Sequence, residues 1–145
     1  MTTRMPPLDI AEIQAIIRAG VPLAADWEVE VLAAEDGAAL VRLPARPVLL
    51  RPGNTVSGPA LMGLADVAMW AALLSTTGGR DDSVTSTMTV NFLRPAGSGP
   101  VLAEARLVKQ GRRQVFGEIL IRAEGSDDLA THITTTWTVI APAGR

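Results

Sequence analysis

Hydrophobic residues follow two rhythms along this chain, separated by one stretch that has none. Over residues 9–19 they recur at helical spacing, with Ile10, Ile13, Ile16 and Ile17 on one side. That predicts a short amphipathic helix capped by Asp9 and ended by Gly20 and Pro22. Trp27, Val29 and Val31 then alternate with Glu28 and Glu30, the period of a half-exposed strand. Glu35-Asp36-Gly37 is a hairpin signal, and residues 38–43 form the returning strand. The second half is strand-like throughout. In 84–93, Met88, Val90 and Phe92 fall on one face and Thr85, Thr87, Thr89 and Asn91 on the other. Residues 94–100, rich in Pro and Gly, break that strand. Val101, Ala103, Ala105 and Leu107 alternate with Glu104 and Arg106, and Val115, Gly117, Ile119 and Ile121 with Gln114, Glu118 and Arg122. Gln110-Gly111 and residues 125–128 are turns, 129–140 is the last strand, and the tail 141–145 is expected to fray.

The stretch without rhythm is 51–75, RPGNTVSGPALMGLADVAMWAALLS. An irregular connection with three prolines, 44–54, leads into it. Ala, Leu and Met dominate, Ser57 suits an N-cap and Pro59 a first turn, so a helix is predicted over about 58–75. Such a helix is apolar nearly all round, which means either a membrane span or the buried centre of a domain. A span needs about 20 apolar residues in a row. This run is shorter and carries Gly63 and Asp66, so it reads as a core helix wrapped by the strands, with Gly63 allowing close packing. A carboxylate in that position is costly unless it is paired or used, which makes Asp66 the most informative residue of the chain.

The order of elements, short helix, hairpin, buried helix and four strands in meander, predicts one α+β domain over residues 1–145. An antiparallel sheet of about six strands curls around the central helix, the two earlier strands joining at its ends. Composition then narrows function. At 48% hydrophobic and a mean hydropathy of +0.26 the chain can fill a core. A net charge of −2 offers no footprint for nucleic acid. Absence of cysteine excludes zinc-thiolate sites and cysteine nucleophiles, and the single His132, expected at a surface or interface, excludes a multi-histidine metal site. Neither a signal-peptide core nor a membrane anchor is evident, so a cytoplasmic location is expected.

Three strings carry a resemblance: Ser57-Gly58-Pro59 with Leu64-Ala65-Asp66, then Val90-Asn91-Phe92-Leu93-Arg94-Pro95-Ala96, then Lys109-Gln110-Gly111-Arg112-Arg113. With the element order, they resemble the hotdog-fold acyl-CoA thioesterases of the phenylacetic-acid-degradation type, in the 4-hydroxybenzoyl-CoA thioesterase superfamily, over roughly residues 29–139. The resemblance implies thioester hydrolysis at a dimer interface, in a homodimer or a dimer of dimers, with coenzyme A present only as part of the substrate and no further cofactor or metal. It implies Gly58 as the amide that polarises the thioester carbonyl, Asp66 as nucleophile or general base, and Thr85 as the hydroxyl that orients water or carboxylate. Ser57 stands where the family has histidine, Pro59 where it has a second glycine, and Arg51 where it has asparagine, with Asn54 nearby but out of register.

Spacing alone also favours two subunits. Gly58 and Asp66 are eight residues apart on one helix, about 12 Å along its axis, whereas a hydrolytic site needs both within about 3 Å of one reacting group. Two such helices lying antiparallel about a two-fold bring Gly58 of one to Asp66 of the other. Each residue also has a plainer reading: Asp66 as a structural carboxylate, Ser57 as a cap, Thr85 as a strand threonine, and Arg94, Arg112 and Arg113 as solvated hairpin arginines rather than partners of coenzyme A phosphates. Two function classes follow, a thioesterase and a non-catalytic hotdog protein that binds acyl-CoA or another apolar ligand. A hotdog dehydratase is a weaker third, since its histidine is absent.

Overall fold

A computed structural model describes residues 7–80 and 82–140; the tail at 141–145, expected to fray, lies outside the described residues. The central helix α3 (Gly58–Thr77) runs two residues further than its pattern predicts, to a left-handed Gly78. At 20 residues it is about 30 Å long, enough to cross a membrane by length and composition. It is nonetheless sheathed by protein, with Leu64, Ala65, Ala68, Met69, Ala71, Ala72 and Leu74 fully buried.

The sheathing sheet has six antiparallel strands: β1 (Glu30–Glu35), β2 (Ala38–Leu43), β5 (Ser83–Phe92), β6 (Val101–Gln110), β7 (Gln114–Ala123) and β8 (Thr131–Val139). The two-residue β1–β2 turn has both Asp36 and Gly37 at positive φ, as its sequence requires. Two short strands, β3 (Leu50–Arg51) and β4 (Thr55–Val56), form a separate hairpin inside the connection read as irregular. The curled sheet around α3 is the hotdog architecture expected, but two expectations about its order fail. Strand order is β1-β2-β6-β7-β8-β5, so the second half is not a simple meander and the first hairpin joins at one end only. The cause is the eight-residue 93–100 connection, too long and too proline-rich for a hairpin. It is tied to β4 by Val56 N–H to Gly97 O at 2.9 Å and to the start of β8 by Leu93 N–H to Ala130 O at 2.8 Å. The chain is thereby carried from one edge of the sheet to a position beside β2, and β5 is left paired only with β8 among the described strands.

Within β5 the predicted alternation also fails, with consequences for the site. Thr85 pairs with Trp137 and Thr87 with Thr136, leaving Ser86 as an extra residue in a β-bulge. A bulge shifts the side-chain parity of everything before it. Met88, Val90 and Phe92 share the α3-facing side, but Thr85 faces α3 with them rather than lying on the outer face with Thr87, Thr89 and Asn91.

The other side of α3 is covered by α1 (Ile10–Gly20), which packs in turn on a five-residue α2 (Pro22–Asp26) that hydrophobic spacing does not reveal. Asp9 caps α1 in a full capping box with Glu12. Pro22 opens α2, and the helix closes with Glu28 N–H on Ala25 O and Val29 N–H on Ala24 O, both 3.0 Å, around a left-handed Glu28 at φ 56°. Trp27 therefore belongs to a helix end and not to the strand predicted for it. Its ring lies 2.9–3.0 Å from where a Cβ on Gly63 would stand, which is why α3 carries glycine there. His132 is half-buried on the outer face of the sheet, its Nε2 2.9 Å from Glu118.

Candidate functional site

Asp66 is half-buried on the third turn of α3, between the buried Ala65 and Val67. The Thr85 hydroxyl donates to Asp66 Oδ1 at 2.7 Å. Burial pushes the Asp66 carboxyl above the usual carboxylate range, and the Thr85 bond only partly opposes this. No basic side chain among the described residues pairs with it. A desolvated carboxylate with one hydroxyl partner and no cation is set up to accept a proton, which suits a general base or a nucleophile. Trp137, across the strand pair from Thr85, is buried, and its indole N–H has no hydrogen-bond partner among the described residues.

Two turns back, Ser57 is the N-cap: its Oγ accepts from Ala60 N–H at 3.4 Å, and its own N–H is held by Leu49 O at 2.8 Å. Gly58 is the first residue of α3, so its N–H is one of the amides that has no acceptor within the helix. The positive end of the helix dipole adds to that donor. The Phe92 ring approaches to 3.4 Å of the place a Gly58 Cβ would occupy, so the end of β5 lies against the first turn of α3. Pro59 removes a neighbouring donor.

The structure joins Asp66 and Thr85 in direct contact and places Gly58 on the same helix, eight residues away. It does not bring the remaining predicted residues to that pair. Asn54, at φ 58°, and Arg51 close the exposed β3–β4 turn, where Asn54 N–H bonds Arg51 O at 3.1 Å. Arg94 is exposed and 3.5 Å from Asp128. Arg112 and Arg113 sit at the β6–β7 hairpin and, with Lys109, Gln114, Phe116 and Thr136, line a surface recess of about 620 Å³. Pattern reading missed Phe92 beside Gly58 and Trp27 against Gly63, one turn before Asp66. The glycines at 58 and 63 were the available signals, since each marks a place where another group comes close. The described residues contain no cluster of His, Cys, Asp and Glu able to hold a metal.

Known proteins resemble the chain in sequence and in fold. Residues 53–130 match the family model described as "Thioesterase superfamily". A Thermoplasma acidophilum protein named "Putative esterase" is 28% identical over 92 residues, 63% of this chain and 69% of that protein. The chain spans 59–69% of the length of the curated relatives it matches. Among solved structures, a "putative thioesterase" from Silicibacter sp. TM1040 superposes with a TM-score of 0.83 at 30% identity, covering 94% of this chain and 96% of that one. A mutant form of the phenylacetic acid degradation protein PaaI from Thermus thermophilus superposes with a TM-score of 0.70 at 27% identity, covering 82% of this chain and 99% of that one.

Proposed function

The chain belongs to the thioesterase superfamily of hydrolases, and on that premise we propose that it hydrolyses acyl-CoA or aryl-CoA thioesters at a site completed by a second copy of itself. The observation that carries this reading is the Thr85–Asp66 pair on a half-buried helix face, 2.7 Å apart and without a cation to neutralise it among the described residues. The two-copy site is supported by spacing, because Gly58 and Asp66 lie about 12 Å apart along one helix and cannot serve one carbonyl. It is further supported by β5, which has an unpaired edge among the described strands and exposes Val84, Phe92 and the adjoining Leu93 about half each. Two β5 edges pairing antiparallel would bring the two α3 helices together.

In the proposed reaction the thioester carbonyl oxygen accepts from the Gly58 N–H of one subunit. Asp66 of the other takes a proton from water while the oxygen of that water bonds to the carbonyl carbon. The oxyanion so formed is held by the amide and the helix dipole. On its collapse the C–S bond breaks, the thiolate leaves, and the Asp66 proton passes to sulfur, giving a carboxylic acid and free coenzyme A. With Asp66 as nucleophile the same groups would act through an acyl-aspartyl anhydride. Thr85 holds the carboxylate in register for either course. Water is the only co-reactant, so no cofactor is required. The basic recess of Lys109, Arg112 and Arg113 is suited to coenzyme A phosphates.

The test is a panel of acyl-CoA and aryl-CoA esters read with a thiol-reactive dye, wild type beside Asp66→Asn. Turnover lost in the variant with folding kept supports the reading; equal turnover overturns it. One observation favours the second class, an acyl-CoA-binding protein without catalysis: Ser57, in the place of the family's histidine, is engaged as the helix cap. Tight coenzyme A ester binding with no turnover in the same panel would select that class.

A further inference from the structure

Thr85 reaches Asp66 only because β5 is bulged at Ser86. In an unbulged strand continuing the parity of Met88, Val90 and Phe92, Ser86 and Val84 would face α3 and Thr85 would face away. Something must therefore hold the bulge in place, since an extra residue in a ladder can migrate along the strand. Three consecutive threonines lie opposite, at 134–136, and only Thr135 is fully buried, at 1% exposure. Its Oγ1 donates to the carbonyl oxygen of Thr87, the residue that follows the extra one, at 2.8 Å. On the outer side Ser86 and Thr138 bond to each other through their hydroxyls. The bulge is thus pinned from both faces, and the inner pin is a hydroxyl in the core, where a polar group without a partner is strongly disfavoured.

We propose that Thr135 is a positioning residue for the hydrolytic site: its buried hydroxyl fixes the β5 bulge and so keeps Thr85 turned toward Asp66. Migration of the bulge by one residue toward the start of β5 would turn Thr85 outward and put the shorter Ser86 in its place, ending the Thr85–Asp66 contact. The role in hydrolysis rests on the thioesterase reading above, but the geometric claim stands apart from it. Thr85 is the polar group acting on Asp66, and no charged group among the described residues reaches that carboxylate, so a change in its ionisation reports the Thr85 contact.

The experiment follows thioester hydrolysis against pH for wild type, Thr135→Val, Thr135→Ser, Thr85→Val and the Thr85→Val/Thr135→Val double variant. The Asp66 carboxylate is titrated by carbon NMR in the same proteins and assigned with Asp66→Asn. Thr135→Val is expected to lower turnover about tenfold, the lower end of a lost hydrogen bond to a charged group, and to move the Asp66 titration upward, as Thr85→Val does. Thr135→Ser, which keeps the hydroxyl, is expected to match wild type in both. In the Thr85→Val background Thr135→Val should add nothing. An unchanged titration and profile in Thr135→Val, or effects that multiply with those of Thr85→Val, would overturn the proposal. If Thr135→Val does not fold, Thr135→Ala removes the same hydroxyl without adding a methyl group and carries the comparison. Should no thioester be hydrolysed while the titration still moves, the hydrolase reading fails and the positioning role holds. Should Asp66→Asn abolish turnover while Thr135→Val changes nothing, the reverse is true.

Discussion

The Thr85 hydroxyl donates to the Asp66 carboxylate at 2.7 Å, joining the edge strand to the central helix at the one point where that helix carries a charge. The proposed chemistry requires this carboxylate to be ionised while burial favours its protonated form, and the Thr85 bond is the group that offsets burial.

Asp66→Asn tests whether the charge is there for function. Its shape is retained, so the protein should fold, while hydrolysis should fall by about 10², the scale of a lost general base. Because the folded-state pKa is raised, Asp66 contributes stability below its unfolded pKa, and that contribution is lost as pH rises through the folded value. At neutral pH the ionised carboxylate is thus a burden, and Asp66→Asn should melt at or above the wild-type temperature. The difference should shrink as pH falls through the folded pKa of Asp66. Thermal melts of the pair across pH check both the sign and the window.

Turnover should rise with pH as Asp66 ionises. Thr85→Val removes the donor that favours the anion, so the acid limb should move to higher pH and the plateau should drop about tenfold, the lower end of a hydrogen bond to a charged group. A pH–rate profile with an unmoved acid limb would show that Thr85 does not act on Asp66 in solution.

Ser57→Ala removes an N-cap and should cost about 1 kcal/mol of stability, seen as a shifted denaturant midpoint at unchanged slope. Ser57→His exchanges that cap for the family's residue. It should lose similar stability and raise hydrolysis, read as turnover per folded protein.

Gly63→Ala places a methyl group 2.9–3.0 Å from the Trp27 ring. Overpacking of that kind costs about 1–3 kcal/mol, against about 1 kcal/mol gained in helix propensity, so the variant should be less stable. Trp27→Leu opens the space, and the double variant should be more stable than the sum of the two single changes. A double-mutant cycle of thermal melts measures this coupling.

Val84, about half exposed on β5, should line the contact between two copies. Val84→Glu places like charges across a pairing of identical edges and should yield a monomer without hydrolysis. Light scattering beside the activity assay checks it. A wild-type protein that stays monomeric at micromolar concentration would remove the two-copy site.

The central helix, its cap at Ser57, the turn at Asp36-Gly37, the amphipathic first helix and the strangeness of Asp66 were all legible in the chain. Each rests on local physics: side-chain period, helix propensity, capping, and the cost of desolvating a charge. Three features were settled only by the tertiary structure. Which strand lies beside which depends on where the 93–100 connection is tied, by bonds to Thr55, Val56 and Ala130 that are distant in sequence. The ring of Trp27 reaches Gly63 through a short helix that leaves no periodic signal, because five residues are too few to show one. The side of the sheet that Thr85 faces hangs on a single extra residue. Alternation in sequence gives the relative faces of neighbours only while the ladder is regular, and a bulge is created by partners on the opposing strand. The carboxylate was therefore visible in the sequence, whereas Thr85 was named for it by resemblance alone, since alternation put that hydroxyl on the wrong face until the strands were paired.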